Sequence, residues 1–109
     1  MADKLAGKLG ICRRAGHLAA GCDAVTGWMR QGKAKAVVLA ADLSPKTEKE
    51  IRFTADKFPT RLLRTSLDKE QIGKALGVSK PVGVLATDDR GFAAAFEKDC
   101  PDRQEDDAI

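Results

Sequence analysis

The sequence is poor in the residue types from which most catalytic and metal sites are built. Its 109 residues include one histidine and three cysteines, and the cysteines form no CxxC pair. A lone His17 leaves no Cys–His or Ser–His–Asp group, and an odd number of cysteines at this spacing predicts neither a disulfide framework nor a zinc site. We therefore predict no enzymatic activity, no cofactor and no metal, in a protein of the reducing cytoplasm.

Long apolar runs and glycine-rich phosphate loops are also missing. The sequence contains no stretch of about 18 apolar residues, so no membrane span is predicted. Its first residues lack the apolar core of a signal peptide, and we expect no export. Neither a GxGxxG pattern nor a Walker-type loop occurs, which argues against those modes of nucleotide binding. With four Phe, one Trp and no Tyr, the core is expected to be aliphatic.

Charge is distributed unevenly along the chain. Residues 1–98 hold 18 basic and 11 acidic residues, a net charge of +7, whereas residues 99–109 hold one basic and five acidic residues, a net charge of −4. We predict a single domain over 1–98 and an acidic, disordered tail over 99–109. The basic domain favours a polyanionic partner such as nucleic acid, although the same charge also serves solubility. A further hypothesis is that the tail folds back onto the basic domain and competes with nucleic acid.

Hydrophobic spacing and capping signals predict helices and strands in alternation. Ser44 followed by Pro45 is typical of a helix start, and Asp68 with Gln71 resembles a capping box. The predicted order is helix 4–15, strand 18–20, helix 22–32, strand 36–41, helix 45–58, strand 61–65, a helix from residue 69 that Gly77 closes, strand 82–86, and a final helix capped by Asp88 or Asp89. Such alternation predicts an α/β domain with a mostly parallel sheet between helical layers.

The second predicted helix and its flanks carry the most suggestive polar pattern. The helix opens after Gly21, and the free amides of a helix start bind anions such as phosphate. Gly27 in its interior permits close approach of another backbone, which is either nucleic acid or a neighbouring helix. Basic residues flank this helix, and they either converge at one end of the sheet or form an ordinary solvated surface; they are Arg13, Arg14, Arg30, Lys33 and Lys35.

Asp42 has two interpretations of equal standing. It follows the strongest strand, where α/β proteins often place functional groups at the carboxyl end. It also precedes Ser44 and could simply begin the turn into the next helix.

The order and spacing of several segments resemble the ribosomal protein L7Ae/L30e superfamily, and more narrowly the small bacterial YlxQ-like proteins. The matching segments are residues 9–16, Gly21, residues 31–35 leading into 36–41, residues 42–47, and the spaced glycines Gly73 and Gly77 before the final strand. Together they cover about residues 4–98. The resemblance implies a three-layer α/β/α sandwich around a mixed central sheet of about four strands.

The resemblance also implies binding to structured RNA, typically a kink-turn or a related bend. In the family, the start of the second helix reads sheared G·A pairs, and a loop before the last strand packs against an extruded nucleotide. Recognition through bends and unstacked bases is expected, because the A-form major groove is too narrow for side chains. The corresponding loop here is Val78, Ser79, Lys80 and Pro81: Lys80 would contact phosphate, and Val78 or Pro81 would pack on a base, unless the segment is an ordinary turn.

The chain departs from the family's kink-turn signature at the second helix. That signature is a Gly-Thr-Asn-Glu-type start with a lysine three residues after the glutamate, and the positions here are Gly21, Cys22, Asp23, Ala24 and Gly27. Most of the base-reading side chains are therefore replaced. The leading hypothesis is a non-catalytic, ribosome- or translation-associated RNA-binding protein. The alternatives are a protein-interaction module of the same fold, or a substrate-binding fragment of an RNA-modifying enzyme.

Overall fold

A computed structural model of the chain describes residues 4–100 and the backbone of 102–103. Over these residues helices and strands alternate, as the sequence predicts. The helices are α1 Lys4–Arg14, α2 Cys22–Arg30, α3 Pro45–Lys57, α4 Lys69–Leu76 and α5 Arg90–Asp99; the strands are β1 Leu18–Ala20, β2 Ala36–Leu39, β3 Leu62–Arg64, β4 Val84–Thr87 and β5 Asp102–Arg103. None of the helices in this part of the chain combines the length and apolarity needed to cross a membrane.

Local capping chemistry fixes three of the helix starts. The Ser44 hydroxyl accepts the amide of Thr47, Asp68 and Gln71 form a reciprocal capping box, and Asp89 accepts the amide of Phe92. Each cap satisfies an amide that would otherwise lack an intrahelical partner. Asp89, rather than Asp88, is therefore the cap of α5.

The sheet is mixed, with strand order β1-β4-β2-β3-β5. Only β2 and β3 pair in parallel, whereas β4 runs antiparallel to both β1 and β2, and β5 runs antiparallel to β3. The mostly parallel sheet predicted from the alternation is thus wrong, and the mixed sheet implied by the resemblance is confirmed.

The path between α4 and β4 explains the reversed strand. After Gly77 the chain turns back along α4, where Val78 donates its amide to the Gly73 carbonyl and Val82 donates to the Lys69 carbonyl. The chain therefore returns to the end of the sheet at which α4 began. β4 has to start there, so it runs opposite to β3 even though a helix separates the two strands.

Helices cover both faces of the sheet and enclose an aliphatic core. α2 packs against α3, while α1 packs against α4 and α5. Every residue of β2 and β4 is buried, as expected for strands covered on both sides. Phe96 is the one fully buried aromatic side chain among the described residues, and Leu, Ile, Val and Met fill the rest of the core, as predicted.

The folded domain continues past residue 98, where the sequence-based boundary lies. Asp99 belongs to α5 and pairs with Lys8 at 2.7 Å, Cys100 is buried, and β5 adds a short edge strand to β3. These residues correct the predicted start of the tail. The remainder of the predicted tail, residues 101 and 104–109, lies outside the described residues.

The two ends of the sheet differ in the elements that begin and finish there. At the upper edge β1, β2 and β3 finish and β4 begins, and backbone hydrogen bonds from Gly21 to Val84 and from Ala40 to Gly83 close this edge. α2, α3 and α4 all begin there. At the lower edge β1, β2 and β3 begin and β4 finishes.

Candidate functional site

A groove of about 440 Å³ opens at the upper edge, between the starts of α2 and α3, the helix α4 and the loop before β4. We call it the upper groove. The structure brings together here six of the residues singled out from the sequence: Arg13, Gly21, Cys22, Val78, Lys80 and Pro81. Sequence reasoning missed other residues of its wall, among them Leu43, Ser44, Thr47 and Lys69.

The start of α2 presents backbone amides that no side chain caps. Gly21 is the N-cap residue, and its backbone angles are φ 96° and ψ 153°, a conformation that side chains other than glycine's rarely adopt. The amides of Cys22, Asp23 and Ala24 follow in the first turn without a side-chain cap. Uncapped amides and the positive end of the helix dipole together favour a bound anion.

The start of α3 adds two hydroxyl groups to the same groove. Ser44 accepts the Thr47 amide at 3.2 Å and donates to the Thr47 hydroxyl at 3.0 Å. One amide of this helix start is thus already satisfied. Both oxygens retain hydrogen-bonding capacity toward a ligand, since a hydroxyl group combines one donor with two acceptor lone pairs.

Three cationic side chains border the upper groove, and its wall includes no Asp or Glu among the described residues. Arg13 donates from Nη1 to the Leu76 carbonyl at 2.9 Å, which anchors its guanidinium beside α4. Lys69 is half-buried and Lys80 is exposed. Lys69 could have been suspected from its place directly after the capping Asp68, but its position beside the loop depends on tertiary structure. The charged side chains in the described wall of the groove are therefore all positive.

Four predicted site residues lie near the groove without lining it. Asp23 and Ala24 are exposed in the first turn of α2, and Ser79 is exposed in the loop beside Lys80. Asp42 has a structural role, because its carboxylate accepts the Lys69 amide at 2.8 Å and so joins the end of β2 to the start of α4. Of its two interpretations, the structure supports the turn, because Asp42 lies in the turn that leads to Ser44 and also holds the start of α4.

The remaining predicted residues do not line the groove. Of the two alternatives left open for the basic residues, convergence at one end of the sheet is wrong, because Arg30 and Lys35 border a different depression. Arg30 and Lys35 lie at the lower edge, because the nine residues of α2 carry the chain about 13 Å from Gly21. Lys33 lies over the Trp28 ring, 4.8 Å from its centroid. Arg14 is exposed at the end of α1.

Gly27 faces open space. A Cβ at this position would meet no heavy atom within 4 Å, so no helix of the described chain approaches it closely. Of the two partners that the sequence left open, a neighbouring helix of the described chain is excluded.

The titratable groups near the groove offer no activated nucleophile. Burial raises the pKa of the Cys22 thiol, and the nearby Glu50 raises it further, so the side chain is a neutral thiol near pH 7. His17 pairs through Nδ1 with Asp88 at 2.9 Å at the lower edge, which leaves it remote from Cys22. Across the described part of the chain, no group of three or more His, Cys, Asp and Glu residues could hold a metal ion.

The fold and the groove define a small three-layer α/β/α domain with a cleft at one end of its sheet, bordered by Arg13, Lys69 and Lys80. The sequence profile of the ribosomal protein L7Ae/L30e/S12e/Gadd45 family matches residues 3–97, and the chain belongs to that family.

Two solved structures show how closely the fold is shared. A protein of unknown function from Bacillus halodurans C superposes with a TM-score of 0.81 at 22% identity, over 89% of this chain and 96% of that one. A Giardia lamblia 15.5kD RNA binding protein superposes with a TM-score of 0.72 at 18% identity, over 86% of this chain and 82% of that one. No curated protein matches the chain in sequence.

Proposed function

We propose that this protein is a non-catalytic RNA-binding protein that holds structured, bent RNA in the upper groove, in a ribosome- or translation-associated role in the cytoplasm. The observation that carries the proposal is the groove itself, in which three cations and an uncapped helix start line one cleft, with no carboxylate among the described residues of its wall. Membership of a family named for ribosomal proteins supports it, as does the likeness to a structure described as an RNA binding protein.

The groove would hold the RNA backbone through phosphate groups. The amides at the start of α2 would bind one phosphate, with Arg13 completing its charge neutralisation. Lys69 and Lys80, which both line the groove, would contact a neighbouring phosphate. Such contacts fix the orientation of the RNA and supply affinity without reading its sequence.

The apolar side of the groove suits an unstacked base. Val78 is half-buried and Pro81 is exposed, and both line the groove next to Lys80. A base extruded at a bend would pack on these side chains while its phosphate lay against Lys80. Because Asp23, Ala24 and Gly27 replace the family's base-reading side chains, we propose that the bend and the backbone of the RNA, rather than its G·A pairs, select the ligand.

The test compares two charge-matched variants in titrations of a fluorescently labelled RNA hairpin with an asymmetric internal loop. The groove variant is Lys69→Gln/Lys80→Gln. The control variant is Lys49→Gln/Lys74→Gln, whose lysines are exposed on α3 and α4 and do not line the groove. Each lost phosphate contact lowers the slope of log K against log salt by about 1, so we expect the groove variant alone to lose about 2.

Equal binding by the two variants would contradict the proposal. A protein that bound no RNA at all in any form would instead favour the alternative of a protein-interaction module. We expect both variants to have the same thermal unfolding midpoint as the unmodified protein. Equal midpoints would show that a change in affinity comes from lost RNA contacts and not from unfolding.

A further inference from the structure

The lower edge carries a second cluster of cations that the upper groove does not use. A depression of about 560 Å³ between the ends of α2 and α3 is bordered by Arg30, Lys35, Lys57 and Arg61. A neighbouring depression of about 410 Å³ is bordered by Lys35, Arg61 and Arg90. Because Lys35 and Arg61 belong to both, the two depressions form one surface. We call these five exposed side chains the lower basic face.

This surface is physically separate from the upper groove. Lys35 precedes β2 and Ala40 follows it, and the strand between them separates the two by roughly 16 Å at the rise of a β-strand. No residue lines both the upper groove and either lower depression. One ligand segment in the groove therefore does not reach the lower basic face except by continuing around the domain.

Little negative charge opposes the cluster. Glu97 forms an ion pair with Arg61, and neither depression includes an Asp or Glu in its wall among the described residues. Asp56 and Asp89 are neighbours in sequence of Lys57 and Arg90, and Asp89 is engaged in capping α5. The Lys57 ammonium lies 4.7 Å from the centroid of the Phe53 ring. The charged residues that border the two depressions are therefore all positive among the described residues.

Helix stability explains the presence of only some of these cations. Arg30 and Lys57 lie in the last turns of α2 and α3, where cations complement the negative end of the helix dipole. Arg90 is different, because it is the first residue of α5, where the dipole disfavours a positive charge. Lys35 lies outside any helix, and within the described part of the chain its side chain donates a hydrogen bond to the Gly32 carbonyl, at 3.5 Å, and to no other group. A bound polyanion explains Lys35 and Arg90 better than helix stability does.

We infer that the lower basic face binds the phosphate backbone of a second RNA segment, so that one domain contacts RNA at both ends of its sheet. The inference rests on the proposed function in taking RNA as the ligand. It adds a second site, and it assigns Arg30 and Lys35 to that site rather than to the groove. The contacts would be sequence-independent, since they come from exposed cations on the rim of shallow depressions.

The test is a backbone footprint on the same hairpin with the full-length protein, using hydroxyl-radical cleavage of the RNA. The lower-face variant is Lys35→Gln/Arg90→Gln, both exposed residues, and the control variant is again Lys49→Gln/Lys74→Gln. We expect two protected backbone segments with the unmodified protein and with the control. The lower-face variant should lose one segment, the groove variant the other, and each should lower the salt slope by about 2.

The possible outcomes separate this inference from the proposed function. If the lower-face variant leaves the footprint and the salt slope unchanged while the groove variant alters them, the inference is overturned and the groove proposal stands. If only the lower-face variant has an effect, the inference stands and the groove proposal fails. If neither variant differs from the control, both fail.

Discussion

At the scale of single residues, the shape of the upper groove depends on Gly73, because a larger residue at this position would clash with the loop that forms one wall. The loop that forms one wall of the groove crosses α4 at this glycine, and a Cβ there would overlap the Lys80 carbonyl oxygen and lie 3.2 Å from its carbonyl carbon. Both neighbours are backbone atoms, so a rotamer change cannot relieve the contact. The loop that carries Val78 and Lys80 can therefore pack this closely on α4 only because residue 73 has no Cβ.

We predict that Gly73→Ala destabilises the protein by about 1–3 kcal/mol, the usual cost of overpacking a close contact. It should also weaken RNA binding, because the loop has to move away from α4. Urea unfolding followed by circular dichroism measures the first effect, and hairpin titration measures the second.

Gly27→Ala is the matched control for Gly73→Ala. Its Cβ would meet nothing within 4 Å, and alanine is favoured over glycine in a helix interior by up to about 1 kcal/mol. This variant should therefore be as stable as the unmodified protein or more so. An unchanged unfolding midpoint for Gly73→Ala would show that the loop does not pass where the structure has it.

At the scale of elements, Glu48 joins α3 to the end of β3 near the upper edge. Its carboxylate pairs with Arg64 at 2.6 Å and with Arg52 at 2.9 Å, and Arg64 also donates to the Ala40 carbonyl. The hydrogen bond from Arg64 is the main reason that the pKa of Glu48 lies below its usual range. The ionised carboxylate is therefore favoured in the folded protein.

This lowered pKa predicts how Glu48→Gln responds to acid. Since the pKa is lower in the folded state, the ion pairs stabilise the protein above the ordinary glutamate pKa of about 4.3, and this stabilisation is lost as the pH falls through the folded-state value. The difference in unfolding free energy between the unmodified protein and Glu48→Gln should be positive near neutral pH and should shrink at about pH 3.

Urea unfolding at the two pH values tests this prediction. In an Arg64→Gln background, the same Glu48→Gln change should show a much smaller pH dependence, because the main partner has gone. A difference that stayed constant with pH in both backgrounds would rule out the role assigned to the Glu48–Arg64 pair.

The starts of α3 and α4 and the end of α4 could be predicted from sequence because their signals are local, whereas the predicted ends of β2 and β4 differ from the observed ones. Ser44 with Pro45, Asp68 with Gln71 and the left-handed Gly77 each act within one turn of a helix. The direction of β4 could not be predicted in this way, because it depends on the return of the chain along α4, a contact between backbone segments that hydrophobic spacing does not encode.

For the same reason, only some residues of the candidate site could be predicted from the sequence. Gly21 could be found from the chemistry of a helix start, and Lys80 from the resemblance to the family, which implies an RNA-contacting loop before the last strand. Lys69 was missed, and Arg30 and Lys35 were grouped with Arg13, because deciding which basic residues meet requires the lengths and directions of the intervening elements. The sequence identified the cations but did not divide them between the two ends of the sheet.

At the scale of the whole molecule, the direction of β5 relates the acidic residues that follow it in sequence to the lower basic face. β5 runs antiparallel to β3, with Arg103 opposite Leu63, so the chain at Arg103 is heading toward Arg61. After Gln104 the sequence continues with Glu105, Asp106 and Asp107. The hypothesis of a tail that competes with RNA therefore acquires a specific target, the lower basic face.

We predict that deleting residues 104–109 tightens binding of the labelled hairpin at low salt, with the gain fading as salt screens the charges. The gain should disappear in the Lys35→Gln/Arg90→Gln background and persist in the Lys49→Gln/Lys74→Gln background. If the deletion leaves the affinity unchanged at low salt, the hypothesis is wrong and the tail serves only solubility.

The most direct test of the central claim, that the upper groove holds RNA, is ultraviolet crosslinking in cells followed by recovery and sequencing of the bound RNA. The comparison is between the unmodified protein, the Lys69→Gln/Lys80→Gln variant and the Lys49→Gln/Lys74→Gln control. We predict that the unmodified protein and the control enrich the same structured RNA segment and that the groove variant loses it. Recovery of that segment by all three proteins alike, or of no RNA above background by any of them, would contradict the claim.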